Sequence, residues 1–212
     1  MPTIEQASAW YPSNDPVHGF DHVLRVLHVA ERIGQALGAD LEILRAAALL
    51  HDASGAAPGE GSSRESHQDD SARFAATVLE REGWPESRIE EVTHCIRAHR
   101  YRGREAPVSL EAKILFDADK LDVLGAFGVA RTIGYAIQAG EPIYARPSPS
   151  FEASGEKAQG EPHSAYHEYL FKLRRVPERL HTESARRIAA RRVRLLDEFF
   201  TRLAEEADSR DI

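Results

Sequence analysis

Apolar residues recur every three or four positions along most of this chain, the period of helices that bury one face. Val23, Val26, Leu27, Ala30, Ile33 and Leu37 form one such stripe, and Gly38 stops it. Asp40 can cap a second helix that carries Leu41, Leu44, Ala47 and Ala48 inward and ends in His51-Asp52. The stretch from Ser54 to Ser63 is rich in Gly, Pro and Ser and predicts a loop overhanging that helix end. A helix follows from about Ser66 to Arg81, with Phe74, Val78 and Leu79 as apolar contacts. Beyond Gly83-Trp84-Pro85 the pattern predicts another from Glu86 to His99 through Ile89, Val92 and Ile96.

Ser109 to Ala139 reads as one long helix, bent at Gly125 and Gly128. The segment 141–162 is polar, rich in Pro, Gly and Ser, and without periodicity, which predicts a long mobile loop, either a lid or unstructured chain. Helix returns from Ser164 to Arg174 and from Thr182 to about Ala207, where Ile188, Leu195, Phe199 and Leu203 share one side. No strand pattern, repeat or linker interrupts this, so the expectation is a single all-α domain over residues 1–212.

With 212 residues, 42% of them hydrophobic, the chain can bury one substantial core. A formal charge of -7 argues against a general nucleic-acid binder, whose phosphate contacts need a basic surface. Cys95 is the lone cysteine, so neither an intrachain disulfide nor a thiolate cluster is available, and any metal must rest on His and carboxylates. The N-terminus lacks a basic segment followed by an apolar one, and no membrane-length apolar run occurs; the expectation is a soluble, cytoplasmic protein without a membrane partner.

The chemistry concentrates in two places. His51-Asp52 closes an unbroken apolar run, which puts both side chains near the core, where an unpaired carboxylate is costly and a cation would satisfy both. His18 and His22 have the i, i+4 spacing that can present two imidazoles from one face, but Gly19 puts His18 at or before the helix start. His22 is therefore the ligand candidate and His18 a nearby polar group. Arg25 can project toward the same mouth, to bind phosphate or to pair with a carboxylate. In Phe116-Asp-Ala-Asp-Lys-Leu-Asp122, about 100° per residue puts Asp119 and Asp122 on one face and Asp117 opposite Asp119. Asp119 continues the stripe of Ala112 and Leu115, so it is the inward carboxylate. Asp122 becomes an outer or substrate-facing partner and Asp117 a solvated one. The bland reading of all three is an acidic helix start favoured by the helix dipole. His67, beside Asp69 and Asp70, and His99 suit a second metal, the substrate, or ordinary capping. His94, His163, His167 and His181 lack such a context.

Taken in order, His22, His51-Asp52 and Ala118-Asp119-Lys120 resemble the H...HD...D signature of the HD-domain superfamily of metal-dependent phosphohydrolases. The similarity extends to its bacterial YpgQ-like (YedJ-like) branch through His18-Gly-Phe-Asp-His-Val-Leu-Arg-Val26, Leu49-Leu-His-Asp52, Asp117-Ala-Asp-Lys-Leu-Asp-Val-Leu-Gly-Ala126, Phe171-Lys-Leu173 and Thr182-Glu183. The resemblance implies an all-helical HD-domain bundle with a central site where His22, His51, Asp52 and Asp119 bind one divalent metal. Manganese is favoured, with Fe, Co, Ni, Zn or Mg as alternatives. It also implies hydrolysis of a nucleotide phosphate ester or anhydride, with nucleoside triphosphate pyrophosphohydrolysis favoured. His67 and His99 fall where other superfamily members put substrate-facing or second-metal histidines. The glycine expected soon after the HD pair is Gly55, behind Ala53-Ser54, so the local turn can differ.

In that mechanism metal-activated water attacks phosphorus, Asp52 accepts a proton, and Lys120 and Arg25 offset developing charge. Competing readings are a non-catalytic nucleotide sensor and a dinuclear iron oxygenase on the same scaffold. The arginines of Ala185–Arg194 suggest RNA contact, but on an amphipathic terminal helix they fit a solvated face or a homodimer contact better.

Overall fold

The computed structural model describes residues 1–11, 19–53, 67–100, 103 and 105–210. Its elements are α1 (Ile4–Ser8), α2 (Phe20–Leu37), α3 (Leu41–Leu50), α4 (His67–Arg81), α5 (Glu86–Ala98), α6 (Leu110–Asp122), α7 (Gly125–Gln138), α8 (Pro149–Ser154), α9 (Ala165–Phe171), a 3-10 helix (Leu173–Arg179) and α10 (Glu183–Ala207). There is no strand among the described residues, and the fold is all-α. Two compact units emerge, Met1–Lys120 with His181–Ala185, and Leu121–Leu180 with Arg186–Ile212.

The first unit is organised around α3, which packs against α1, α2, α4 and α5. Its sequence explains that position: apart from Glu42 and Arg45 the helix is apolar, and Ile43, Leu44 and Ala46 through Leu50 are all buried. Each such leucine, withdrawn from water, contributes about 1.5–3 kcal/mol. The Asp40 side chain accepts from the Glu42 and Ile43 amides, as its capping role predicts. Gly38 ends α2 in the left-handed conformation. The loop expected at Ser54–Ser63 lies outside the described residues.

Asp117, expected to be solvated, is instead fully buried. Its carboxylate accepts from the His181 amide (2.8 Å), the Thr182 amide (2.7 Å) and the Thr182 hydroxyl (2.7 Å). The side opposite Asp119 is therefore occupied by the chain entering α10. Periodicity within one helix cannot reveal such a partner 64 residues away.

In the second unit, the long helix expected over 109–139 is broken rather than bent. Chain leaves α6 through Leu124 in an extended conformation (φ -115°, ψ 157°) and begins α7 at Gly125, whose φ of 72° suits glycine. Arg192 stabilises the break: its guanidinium donates to the Leu121 carbonyl (2.5 Å), and its aliphatic stem lies against Gly125. Within 141–162 the chain forms α8, capped by Ser148 and anchored by buried Phe151. Glu161 organises this segment through the Ser148 amide and hydroxyl, the Ala158 amide and His167 Nε2. That order comes from polar contacts, which leave no hydrophobic period to read.

Candidate metal centre

Helix ends present the central groups. His51 is the C-cap of α3, and its ring Nδ1 donates to the Ala48 carbonyl (2.8 Å). His99 caps α5 in the same way, donating from Nδ1 to the Ile96 carbonyl (2.5 Å). A carbonyl can only accept, so both rings carry a proton on Nδ1, and in the neutral tautomer this selects, Nε2 is the nitrogen with the lone pair. Tyr11 adds a third tether, its hydroxyl donating to the Leu49 carbonyl (2.9 Å). The sequence gives no sign of that contact, because Tyr11 precedes the helical pattern.

Asp52 stands between two groups of imidazoles. On one side His22, His51 and Asp52 bring one ligand atom each within 4.8 Å of one another; on the other, Asp52, His67 and His99 do the same. Asp52 Oδ2 is 3.4 Å from His51 Nε2 and 3.9 Å from His22 Nε2. Asp52 Oδ1 is 3.5 Å from His99 Nε2 and 3.7 Å from His67 Nε2. Asp119 joins through Oδ1, 3.4 Å from His22 Nε2. These separations are long for hydrogen bonds. The two at 3.4 Å match the roughly 3–3.4 Å edges between neighbouring ligands held about 2.1 Å from one cation, and the other three exceed that edge by about 0.1–0.5 Å.

The electrostatics agree. Burial pushes the His51 imidazole toward its neutral form, although Asp52 opposes it. Burial also works to raise Asp52 and Asp119, but it is outweighed. The neighbouring His51 and His99 rings hold Asp52 well below the usual carboxylate range, and the Lys120 ammonium and His22 do so for Asp119. Neutral imidazoles and ionised carboxylates are the forms that bind a cation. His51 Nε2 and Asp52 Oδ1 are buried and have no hydrogen-bond partner among the described residues. Such orphaned groups cost about 1–3 kcal/mol each. A divalent cation would satisfy both, so the residues present fit one.

The other candidates are placed as follows. Lys120 Nζ is 2.5 Å from Asp119 Oδ2. Arg25 pairs with exposed Asp21, one turn earlier on α2. Asp122 is buried and bound by Arg131 (2.6 Å). His18 and Gly55 lie outside the described residues. Of the histidines left without a role, His94 meets Glu105, and His167 is buried between Ser164 and Glu161.

Residues 19–124, half of the chain, match the family model described as the HD domain. The chain belongs to the HD domain family. Its His-Asp dipeptide at the end of α3 lies within the matched segment. This HD-domain chain is 28% identical to the uncharacterized protein YpgQ of Bacillus subtilis (strain 168), over 95% of its own length and 92% of the relative's. The crystal structure of that YpgQ in complex with ADP aligns with a TM-score of 0.73 at 26% identity, covering 96% of this chain and 97% of that one. A protein described as a predicted HD superfamily hydrolase, from an uncultured Thermotogales bacterium, aligns with a TM-score of 0.63 at 28% identity over 96% and 90% of the two chains. No described helix is long and apolar enough to cross a membrane.

Proposed function

We propose that this HD-domain chain is a metal-dependent phosphohydrolase that cleaves a nucleotide anhydride, with nucleoside triphosphates giving pyrophosphate as the favoured reaction. The observation that carries this reading is the pair of buried acceptors without a hydrogen-bond partner among the described residues, His51 Nε2 and Asp52 Oδ1, at the centre of an imidazole and carboxylate cluster. The ADP complex of the similar YpgQ supports a nucleotide as the ligand class.

His22, His51, Asp52 and Asp119 would hold the cation, and their mixed nitrogen and oxygen donors suit manganese or a neighbouring transition metal. When bound, it would polarise a phosphoryl oxygen and make water acidic enough to supply hydroxide near neutral pH. Asp52, with one oxygen turned to each imidazole group, is placed to accept the proton of the attacking water. Lys120, beside Asp119, brings a positive charge to offset negative charge developing on the phosphate oxygens. His67 and His99 face the other Asp52 oxygen and orient the phosphate chain.

The group formed by Asp52, His67 and His99 favours a second reading, a centre with two cations sharing Asp52. Metal analysis distinguishes them: one ion per chain supports the first reading and two the second. Function is tested by incubating manganese-supplemented protein with a panel of nucleoside triphosphates and separating released phosphate from pyrophosphate. Asp52→Ala should lose bound metal and turnover together while keeping its helical circular dichroism. Full activity in that variant would refute the assignment, and a wild-type protein that binds nucleotides without turnover would be a sensor.

A further inference from the structure

Arg100, the residue after His99, carries a guanidinium that meets no carboxylate among the described residues. Elsewhere in the first unit, Arg25, Arg45, Arg73, Arg88 and Arg97 each meet a carboxylate, and Arg32 and Arg81, which meet none among the described residues, are exposed to water. Half-buried Arg100 meets an uncharged partner among the described residues: its Nη1 donates to Gln68 Oε1 at 3.0 Å. Arg100 directly follows His99, and Gln68 directly follows His67. The bridge therefore joins the residues that follow, in sequence, the two imidazoles facing Asp52 Oδ1, whose rings are 6.0 Å apart.

A neutral tether has a chemical meaning here. A carboxylate would both orient and neutralise the guanidinium, whereas the Gln68 amide orients it and leaves its full charge. One of the five guanidinium N–H donors is engaged by Gln68, and the planar fork retains donors for two oxygens of one phosphate group. Withdrawing such a cation partly from water without an anion is unfavourable unless a ligand supplies the negative charge.

We propose that Arg100, oriented by Gln68, binds the phosphate chain of the substrate beside His99, away from the His22 side of the cluster. This rests on the phosphohydrolase reading and names the group that receives the phosphates not engaged in the reaction. Arg100 is a substrate-binding residue in this scheme and Gln68 a positioning residue.

Isothermal titration with inorganic pyrophosphate in manganese-supplemented buffer tests it, with metal content and circular dichroism measured on every variant. Arg100→Gln should bind pyrophosphate about 10- to 100-fold more weakly, the equivalent of one lost charge-assisted hydrogen-bonding group. Arg100→Lys should fall between the two, because it keeps the charge and loses the fork. Gln68→Glu separates binding from architecture: it strengthens the bridge, so a purely structural bridge predicts undiminished affinity, whereas the anion role predicts a loss because Arg100 is neutralised. Unchanged pyrophosphate affinity in either Arg100→Gln or Gln68→Glu overturns the proposal. The two readings fail separately. Absence of turnover by wild-type protein removes the hydrolase and leaves the titration meaningful; full turnover with unaltered pyrophosphate affinity in Arg100→Gln removes the anion role alone.

Discussion

Replacing Asp117 with alanine withdraws three acceptor contacts at once. The backbone N–H groups of His181 and Thr182 and the Thr182 hydroxyl all point at this carboxylate, and both Asp117 and Thr182 are buried. An orphaned buried donor costs about 1–3 kcal/mol; the Thr182 amide is buried and that of exposed His181 only partly so, and together the two set a range of roughly 1–6 kcal/mol. The hydroxyl adds less, because Thr182 Oγ1 still accepts from the Ala185 amide as the cap of α10. Burial itself raises the Asp117 pKa, which means that dehydrating the charge already opposes the gain. A net loss of about 3–4 kcal/mol follows, among the larger effects of a single substitution. At about 2–4 °C per kcal/mol for a chain of this size, Tm should fall by roughly 6–16 °C. Urea denaturation followed by circular dichroism, together with calorimetry, would measure both quantities. Glu42→Ala serves as a control: that carboxylate is exposed and paired with Arg88, so it should cost no more than about 1 kcal/mol. A Tm for Asp117→Ala indistinguishable from that of the control would refute the argument that this carboxylate anchors the start of α10.

Two further predictions concern the second unit. Hydrogen bonds from Ser148, then His167 and the Ala158 amide, hold Glu161 at about 2, below its usual 4.5. A depressed carboxylate stabilises the fold above its unfolded pKa and loses that contribution as pH falls from about 4.5 through about 2. Glu161→Gln should therefore be less stable at neutral pH and show a flatter decline over that window; parallel urea midpoints for the two proteins between those pH values would rule this out. Gly155 has a φ of 78°, and a Cβ there would run into the Phe171 ring, whereas Gly160, at 79°, has open space around it. Gly160→Ala should cost about 1–2 kcal/mol for the left-handed backbone alone. Gly155→Ala should cost roughly 1–3 kcal/mol more for displacing the ring, and equal unfolding midpoints would contradict the packing argument.

What could be read from the chain divides along physical lines. The helices from Phe20 to Ala98 were legible because each has an apolar stripe and local stop signals such as Gly38 and Asp40. His22, His51, Asp52 and Asp119 were legible as candidates because helix geometry and the order of the motif agree on them. Features set by distant partners were not. Asp117 looks like one more acidic residue until Thr182 is brought to it, and the α6 break needs Arg192 to receive the Leu121 carbonyl. Tyr11 and Arg100 matter through a single tether each, to Leu49 and Gln68, and neither leaves a periodic trace.

The Nδ1 bond from His51 to the Ala48 carbonyl also bears on how the centre is assembled. A free neutral imidazole exchanges between two tautomers, and only one exposes the nitrogen needed here. The α3 backbone makes that selection without any ion, through the Ala48 carbonyl. An incoming cation would then meet a ring that needs neither rotation nor proton relocation, so the ordering cost at this proposed ligand would belong to folding rather than to capture. In nitrogen-15 spectra, the same protonated nitrogen should persist in the metal-depleted and metal-loaded protein, with the change confined to its neighbour across the ring.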